Sequence, residues 1–452
     1  MDDQKYLQPA NRIGFHYFQD QNHFREKDLE TWLPELKSLG ASWLVLQASL
    51  QYAIPEYFIN GLTANQIEPI IFSPMRFDSP QGLEEVKPIF TAYAHWGAQY
   101  IILADRPNDR ESWPSSAWVQ EGLVERFLDR YLPLANLAIQ EGLKPIIPPL
   151  TPGGSYWDTA FLRSLLDSLI RRRQNDLLDH LILSAYPWTQ NKHLNWGAGG
   201  PDRWPAVKPY QCLGDDEDQR GFRIFDWYQA IAQAATGKET PIILLQAGNN
   251  GNTHANNEDL TSSISQAILM NLLNQPVEDP QHEGLNLEPI PSSVISCNFW
   301  LLADEAQQPY QPYSWYPAIG NPLPVVHVCQ EMIKLNPPTP TEKRLPDVLQ
   351  KEFTLKDEMP ARQRPIRHYL LLPVQVWGIA EWHLEVVKPF VRKHRPKVGF
   401  SLKEAVLAEK VTVIGNEDVF PETVLDQLRS SGCFVERIQG DGTTIATVLA
   451  ER

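Results

Sequence analysis

The chain of 452 residues exceeds the roughly 250–300 residues at which a single hydrophobic core stops growing, so at least two domains are expected. Its composition, 42% hydrophobic and 21% charged, is that of a globular protein and excludes a chain that is disordered throughout. Residues 1–337 carry a net charge of −16 and residues 338–452 one of +1. The larger part would repel phosphate backbones, so we expect no nucleic-acid partner.

The N-terminal stretch Met1-Asp2-Asp3-Gln4-Lys5-Tyr6 does not combine basic residues with a following apolar core. A signal peptide has both, so we expect a cytoplasmic protein. No apolar run reaches the ~18 residues of a membrane helix, and we expect no membrane partner. The four cysteines lie far apart and form no C-x-x-C pair. This spacing argues against a zinc site or a disulfide framework, and neither a metal nor a cofactor is expected.

Eight short apolar runs alternate with amphipathic stretches along the first three quarters of the chain. Continuous apolar runs are typical of parallel strands that are buried on both faces. Between two of the runs, Leu29, Leu36 and Leu39 recur at helical spacing before Gly40, a helix stop signal. The pattern predicts a (β/α)₈ TIM barrel over residues 1–335. Its predicted strands are Ile13–Tyr17, Trp43–Ala48, Pro69–Ser73, Tyr100–Ala104, Pro145–Pro149, His180–Ala185, Pro241–Gln246 and Val294–Leu302.

A proline-rich segment, Asn336-Pro337-Pro338-Thr339-Pro340-Thr341, follows the predicted barrel. Proline cannot continue a helix or a central strand, so residues 336–365 are predicted to be a linker. Residues 366–452 then predict a small α/β domain with a parallel sheet. Its predicted strands are His368–Val374, Lys410–Ile414 and Cys433–Ile438, and its predicted helices are Glu381–Lys393, Leu402–Ala408, Pro421–Ser430 and Thr443–Ala450.

Polar and aromatic residues gather at the predicted C-terminal strand ends, where parallel barrels bind their ligands. Acidic, tryptophan-rich surroundings suit neutral polar ligands such as sugars, although the charge also serves solubility alone. Trp32, Trp43 and Trp96 fall inside predicted elements and are expected in the core. Trp157 follows the fifth predicted strand, on a loop where stacking on a sugar ring is credible. The residues expected to bind a saccharide are His16, Tyr186, Trp188, Trp196, Asn298 and Trp300.

The order of these motifs resembles the glycoside hydrolase superfamily of (β/α)₈ barrels, in which catalytic carboxylates follow strands four and seven. The resemblance covers about residues 11–330. At strand four, Ala104-Asp105-Arg106-Pro107-Asn108 stands where that superfamily has Asn-Glu-Pro, which implies Asp105 as the general acid. At strand seven, Leu245-Gln246-Ala247-Gly248 places Gln246 at the nucleophile position. Tyr186 matches a strand-six tyrosine, and Trp300 matches the aromatic residue that floors the sugar site after strand eight.

The glutamine at strand seven leaves the activity open. A retaining hydrolase needs a nucleophilic carboxylate about 5 Å from its acid, and an amide cannot form the glycosyl ester. Either the barrel therefore binds sugar without cleaving it, or another carboxylate takes the catalytic role. Asp105 with Asp304 or Glu305 would form a wider inverting pair, and substrate-assisted hydrolysis would need one acid. Asp105 also has a purely structural reading, paired with Arg106.

The end of the chain resembles the type 2 cell-wall-binding repeat. The matching residues are Val411-Thr412-Val413-Ile414-Gly415, then Leu428 and Gly432, then the run from Val435 to Ala446. About one repeat fits, over roughly 50 residues. The alternative is a small α/β domain that packs on the barrel.

Three functions follow as hypotheses. The first is a glycoside-hydrolase-like barrel that recognises an oligo- or polysaccharide and is catalytically degenerate. The second is an active glycoside hydrolase in which Asp105 acts with a non-standard partner. The third is a structural or interaction protein whose barrel binds no ligand.

Overall fold

The computed structural model describes residues 11–78, 81–207, 218–249, 258–304, 313–317, 322–335, 364, 366–373, 381–399 and 402–450. Eight parallel strands form a nearly closed α/β barrel, in the order β5-β4-β3-β2-β1-β8-β7-β6. They are β1 (Ile13–His16), β2 (Trp43–Gln47), β3 (Glu68–Phe72), β4 (Tyr100–Ile102), β5 (Lys144–Ile146), β6 (Leu183–Ala185), β7 (Ile242–Ala247) and β8 (Val294–Phe299).

The barrel closes between β5 and β6, the two ends of the strand order. The amide of Ile147 donates to the carbonyl of Ile182 over 2.8 Å, and the Ser184 hydroxyl donates to the carbonyl of Ile147. All eight strands predicted from apolar runs are therefore confirmed. They are apolar because each is covered on one side by the barrel interior and on the other by helices.

Helices follow the strands and form the outer layer. They are α1 (Glu26–Ser38), α2 (Glu56–Ala64), α3 (Leu83–His95), α4 (Ser115–Trp118), α5 (Leu123–Gln140), α6 (Asp158–Arg171), α7 (Asn175–Asp179), α8 (Ile224–Thr236), α9 (Glu258–Leu272) and α10 (Pro324–Leu335). Short 3₁₀ turns lie at Arg110–Ser112 and Gly200–Asp202. Trp32, Trp43 and Trp96 are buried in the core, as predicted.

A second, four-stranded parallel sheet lies at the C-terminal end, in the order β10-β9-β11-β12. Its elements are β9 (Ile366–Leu371), α11 (Glu381–His394), β10 (Lys397–Gly399), α12 (Leu402–Ala405), β11 (Ala408–Ile414), α13 (Glu422–Ser430), β12 (Phe434–Ile438) and α14 (Gly442–Ala450). The prediction missed β10. It was also wrong to extend a helix from Leu402 to Ala408, because the helix ends at Ala405 and Ala408 begins β11. The predicted linker lies almost entirely outside the described residues.

Described residues of the small sheet pack on the barrel at α3. Glu85 of α3 lies 3.6 Å from the Lys388 ammonium and 3.1 Å from the Arg392 guanidinium, both on α11. Buried Val387 and Val398 belong to the same connected apolar cluster as the outer layer of the barrel. None of the helices in the described part of the chain has the length and apolarity needed to cross a membrane.

Candidate functional site

Asp105 follows β4 at the C-terminal mouth of the barrel, and its carboxylate makes two polar contacts among the described residues. The Tyr186 hydroxyl, just beyond β6, donates to Asp105 Oδ1 over 2.7 Å. The Arg106 Nε donates to Asp105 Oδ2 over 3.0 Å. The Asp105 side chain is 23% exposed, so a ligand at the mouth can reach it. Burial and the neighbouring Asp105 raise the pKa of Tyr186 well above its ordinary value, so the phenol stays a donor.

Gln246, the last residue but one of β7, has an unusual backbone conformation. Its φ is 55°, in the left-handed region, and the register of β7 against β8 shifts between Leu244 and Ala247. Such a bulge turns a side chain away from the regular alternation of a strand. Arg106 has a left-handed backbone as well, with a φ of 44°. Each such residue costs on the order of 1–2 kcal/mol, and such strain is concentrated at functional sites.

An aromatic pair connects Gln246 with Asp105. The Trp188 Nε1 donates to Gln246 Oε1 over 3.2 Å, and the Trp188 ring stacks on the Tyr186 ring with centroids 5.1 Å apart at 15°. Tyr186 in turn holds Asp105. The side chains at the C-terminal ends of β4, β6 and β7 therefore form one contiguous group, in which Trp188 is half-buried and Tyr186 is buried. We call this group, Asp105, Tyr186, Trp188 and Gln246, the mouth cluster.

His16 and Trp300 lie behind the mouth cluster. Phe15 of β1 pairs with Phe299 of β8, so the next residues of the two strands lie at the same level. The His16 and Trp300 rings meet edge to face with centroids 5.0 Å apart, and the two residues are 2% and 4% exposed, respectively. The His16 Nε2 accepts a hydrogen bond from the Gln246 backbone amide over 3.1 Å. Burial lowers the pKa of His16 to about 3.

Asn298 lies deeper in the barrel than the other predicted binding residues. Its Nδ2 donates to the Leu244 carbonyl over 2.8 Å and to the Ser296 hydroxyl over 2.9 Å. A Cβ on the facing Gly14 would come within 2.2 Å of Asn298 Oδ1, so glycine is what makes room for this side chain. Asn298 is fully buried and braces β8 against β7.

Trp196 packs within its own loop between β6 and α8. Its Nε1 donates to the Asp218 carbonyl over 2.8 Å, its ring lies 5.0 Å from the Trp204 ring, and the Lys192 ammonium lies 4.4 Å from its centroid. Among the described residues, no contact joins it to the mouth cluster. Its neighbours instead make it a packing centre of this loop.

Sequence reasoning missed Gln47, which ends β2. Trp43 and Val45 of the same strand point into the barrel interior, and alternation places Gln47 on that face at the mouth, half-buried. The sequence does contain a signal for it, because Gln47 is a polar residue at the end of a strand whose alternate residues, Trp43 and Val45, face the interior. Asp304 follows β8 and is half-buried, whereas Glu305 lies outside the described residues.

A cavity of about 1080 Å³ lies at the other end of the barrel, lined by the N-terminal strand ends. Trp43, Tyr100 and Lys144 are among its walls. By its volume, this cavity would be the candidate site instead of the mouth cluster. The chemistry of the side chains favours the mouth cluster. Strand-end carboxylate, amide and indole groups converge at the mouth, where barrel loops gather. No group of three metal-ligating side chains is placed to hold an ion in the part of the chain described.

The arrangement defines a (β/α)₈ barrel with a polar and aromatic cluster at its C-terminal mouth. No protein-family model and no curated protein matches the chain. Among solved structures, the chain is similar to a family 39 glycoside hydrolase from Bacteroides cellulosilyticus WH2, with 10% identity and a TM-score of 0.46. The match covers 73% of this chain and 64% of that chain, so it spans less than two thirds of the hydrolase.

A fructose-bisphosphate aldolase from Plasmodium falciparum is also similar, with 12% identity and a TM-score of 0.36. That match covers 73% of this chain and 88% of the aldolase. Neither comparison informs the chemistry of the mouth cluster.

Proposed function

We propose that this chain recognises an oligo- or polysaccharide at the mouth of its barrel and does not carry out retaining glycoside hydrolysis. The observation that carries the proposal is Gln246. It is an amide, presented at the end of β7 on a left-handed backbone and bonded to Trp188. An amide donates and accepts hydrogen bonds, as a sugar hydroxyl does, but it cannot serve as the carboxylate nucleophile.

The contacts of Asp105 favour binding over acid catalysis. Both of its oxygens accept hydrogen bonds, one from Tyr186 and the other from Arg106. The Arg106 guanidinium can only donate, so the Asp105 oxygen that faces it acts as an acceptor and not as the source of an acid proton, whereas the Tyr186 hydroxyl can donate or accept. A carboxylate in this setting accepts from ligand hydroxyls instead.

Trp188 supplies the apolar part of the proposed site. Its ring is half-buried, with one face on Tyr186. Aromatic rings beside a few convergent polar groups are the usual composition of a small-ligand site.

Calorimetric titration with β-glucan, xylan and chitin oligosaccharides tests the proposal. We expect at least one class to bind the wild type, and Trp188→Ala to weaken that binding about tenfold or more. Trp118→Ala, in α4, is the matched control and should leave the affinity unchanged. If none of these classes binds, the proposal fails and the interaction protein becomes the better reading.

Aryl glycosides of the same sugars test the catalytic part. We expect no release of aryl alcohol by the wild type and a small gain in Gln246→Glu, because the variant restores a carboxylate. Robust wild-type turnover that survives Asp105→Asn would contradict the roles given to both residues.

A further inference from the structure

The contact between His16 and Gln246 joins residues 230 positions apart in the chain. β1 and β7 are not neighbours in the sheet, since β8 lies between them. The imidazole reaches across from β1 to the backbone of the bulge in β7. It meets that backbone at the residue whose φ is left-handed.

The direction of this hydrogen bond determines the form of the imidazole. A backbone N–H can only donate, so His16 Nε2 must be the acceptor and carries no proton. Burial disfavours the imidazolium and holds the pKa of His16 at about 3, so the ring is neutral near neutral pH. A neutral imidazole has one proton, which therefore resides on Nδ1.

We propose that His16 is a positioning residue, which fixes the left-handed backbone of Gln246 through its unprotonated Nε2 and so presents the Gln246 amide at the mouth. This inference rests on the proposed function for its purpose, but its structural content can be tested without any ligand. His16 is 2% exposed, with its ring edge against Trp300, so it acts through Gln246 and not by direct contact with a saccharide.

The tautomer gives the first test. Nitrogen-15 NMR of the full chain, with labelled histidine and His16 assigned from its loss in His16→Gln, reports the protonation of each ring nitrogen. We expect an unprotonated Nε2 and a protonated Nδ1 at pH 7. A proton on Nε2 would overturn the proposal. The ring nitrogens are measured in the wild-type chain, and the variant serves for assignment alone.

Matched substitutions give the second test. In His16→Gln an amide oxygen can replace Nε2 as acceptor, whereas His16→Met has a similar length and lacks a comparable acceptor. We expect the Gln246 amide to exchange with deuterium about tenfold faster in His16→Met and within about threefold of wild type in His16→Gln. The amide of Leu244, where β7 pairs in regular register with β6, is the internal control. Equal exchange of the Gln246 amide in the two variants would overturn the proposal.

Saccharide affinity separates this inference from the proposed function. If a saccharide binds the wild type, His16→Met should weaken it and His16→Gln should largely restore it. If no saccharide binds the wild type but the tautomer and exchange results hold, the positioning role stands and only the function is wrong. Loss of affinity in both variants with unchanged exchange would instead contradict the positioning role.

Discussion

At the scale of single residues, the mouth cluster combines a charged acceptor, Asp105, with donors, two of which cannot act as acceptors. Asp105 accepts from a phenol and from a guanidinium, and Gln246 accepts from an indole. Arginine and indole nitrogens only donate, and Tyr186 is kept protonated by its burial. The acceptor atoms of the cluster are thereby oriented before any ligand arrives, which reduces the entropy lost on binding.

The hydrogen bond from Tyr186 to Asp105 should contribute measurably to stability. Tyr186→Phe removes the hydroxyl and leaves a partly buried carboxylate with one donor fewer. Bonds to charged groups are worth about 1.5–3 kcal/mol, so we expect a loss of about 1–3 kcal/mol in the free energy of unfolding in urea. In Tyr156→Phe the lost hydroxyl makes no hydrogen bond within the described residues, so that control should change by less than about 0.5 kcal/mol. Equal losses in the two variants would contradict the assignment.

A second residue-scale prediction concerns Glu68 at the opposite end of the barrel. Burial raises the pKa of Glu68 to about 7, although the Gln99 amides donate to its carboxylate. In the unfolded chain this pKa lies near 4.5. Between these two values the folded state holds a proton that the unfolded state has lost. Folding stability therefore falls as pH rises from about 4.5 through about 7.

Glu68→Gln removes this titration. We expect its unfolding free energy to drop less between pH 5 and pH 8 than that of the wild type, by about 1–3 kcal/mol. The change with pH is the quantity compared, because the substitution also alters the contacts with Gln99 at every pH. Exposed Glu121→Gln should reproduce the wild-type profile. A Glu68→Gln profile parallel to the wild type would contradict the raised pKa.

At the scale of elements, a buried carboxylate, that of Asp158, holds loops beside the mouth together. Asp158, the first residue of α6, accepts from the Gly153 amide over 3.0 Å, the Gln219 side chain over 2.9 Å and the Tyr228 hydroxyl over 2.9 Å. These donors belong to the loop after β5, the loop before α8, and α8 itself. One carboxylate thus joins the fifth and sixth βα units beneath the loop that contains Trp196.

Asp158→Ala should loosen these loops together. The buried donors lose their common acceptor, so we expect a loss of about 3–5 kcal/mol in unfolding free energy. We also expect faster proteolysis within residues 186–223. Asp167→Ala, on an exposed position of the same helix, is the matched control and should stay within about 0.5 kcal/mol of wild type. A lower unfolding free energy without faster cleavage of that loop would show that Asp158 does not organise it.

The strands of the barrel could be predicted from the sequence, but the contacts between side chains and backbone of different elements could not. Each barrel strand is an apolar run because both of its faces are buried, and that is a local property of the sequence. Lys397–Gly399 was missed because Val398 is its one apolar side chain, so the sequence shows no apolar run there. The bond between His16 and Gln246 depends on barrel closure, and the folding of Trp196 against Asp218 depends on the path of a loop. Neither is encoded in spacing along the chain.

At the scale of the whole molecule, the described residues of the barrel and of the C-terminal part share an apolar cluster and a group of ion pairs around Glu85. Val387 and Val398 of the C-terminal part are buried in the cluster that includes the outer layer of the barrel. Glu85 of the barrel faces two cations of α11. An isolated unit of this size has a small core, and burial against a neighbour would stabilise it. These contacts support a docked domain over an independent wall-binding module.

Limited proteolysis of the full chain tests this docking. We expect the wild type not to release a stable C-terminal fragment, because unfolding and undocking of the small domain are coupled through the shared cluster. Glu85→Arg places a cation opposite Lys388 and Arg392 without altering the core of either sheet. Partly exposed ion pairs are worth at most about 1 kcal/mol, so cleavage between Pro337 and Pro365 should accelerate about two- to fivefold. Glu121→Arg, exposed and before α5, should leave the rate unchanged. Rapid wild-type cleavage that releases a stable, peptidoglycan-binding fragment would refute the docked arrangement and favour the wall-binding repeat.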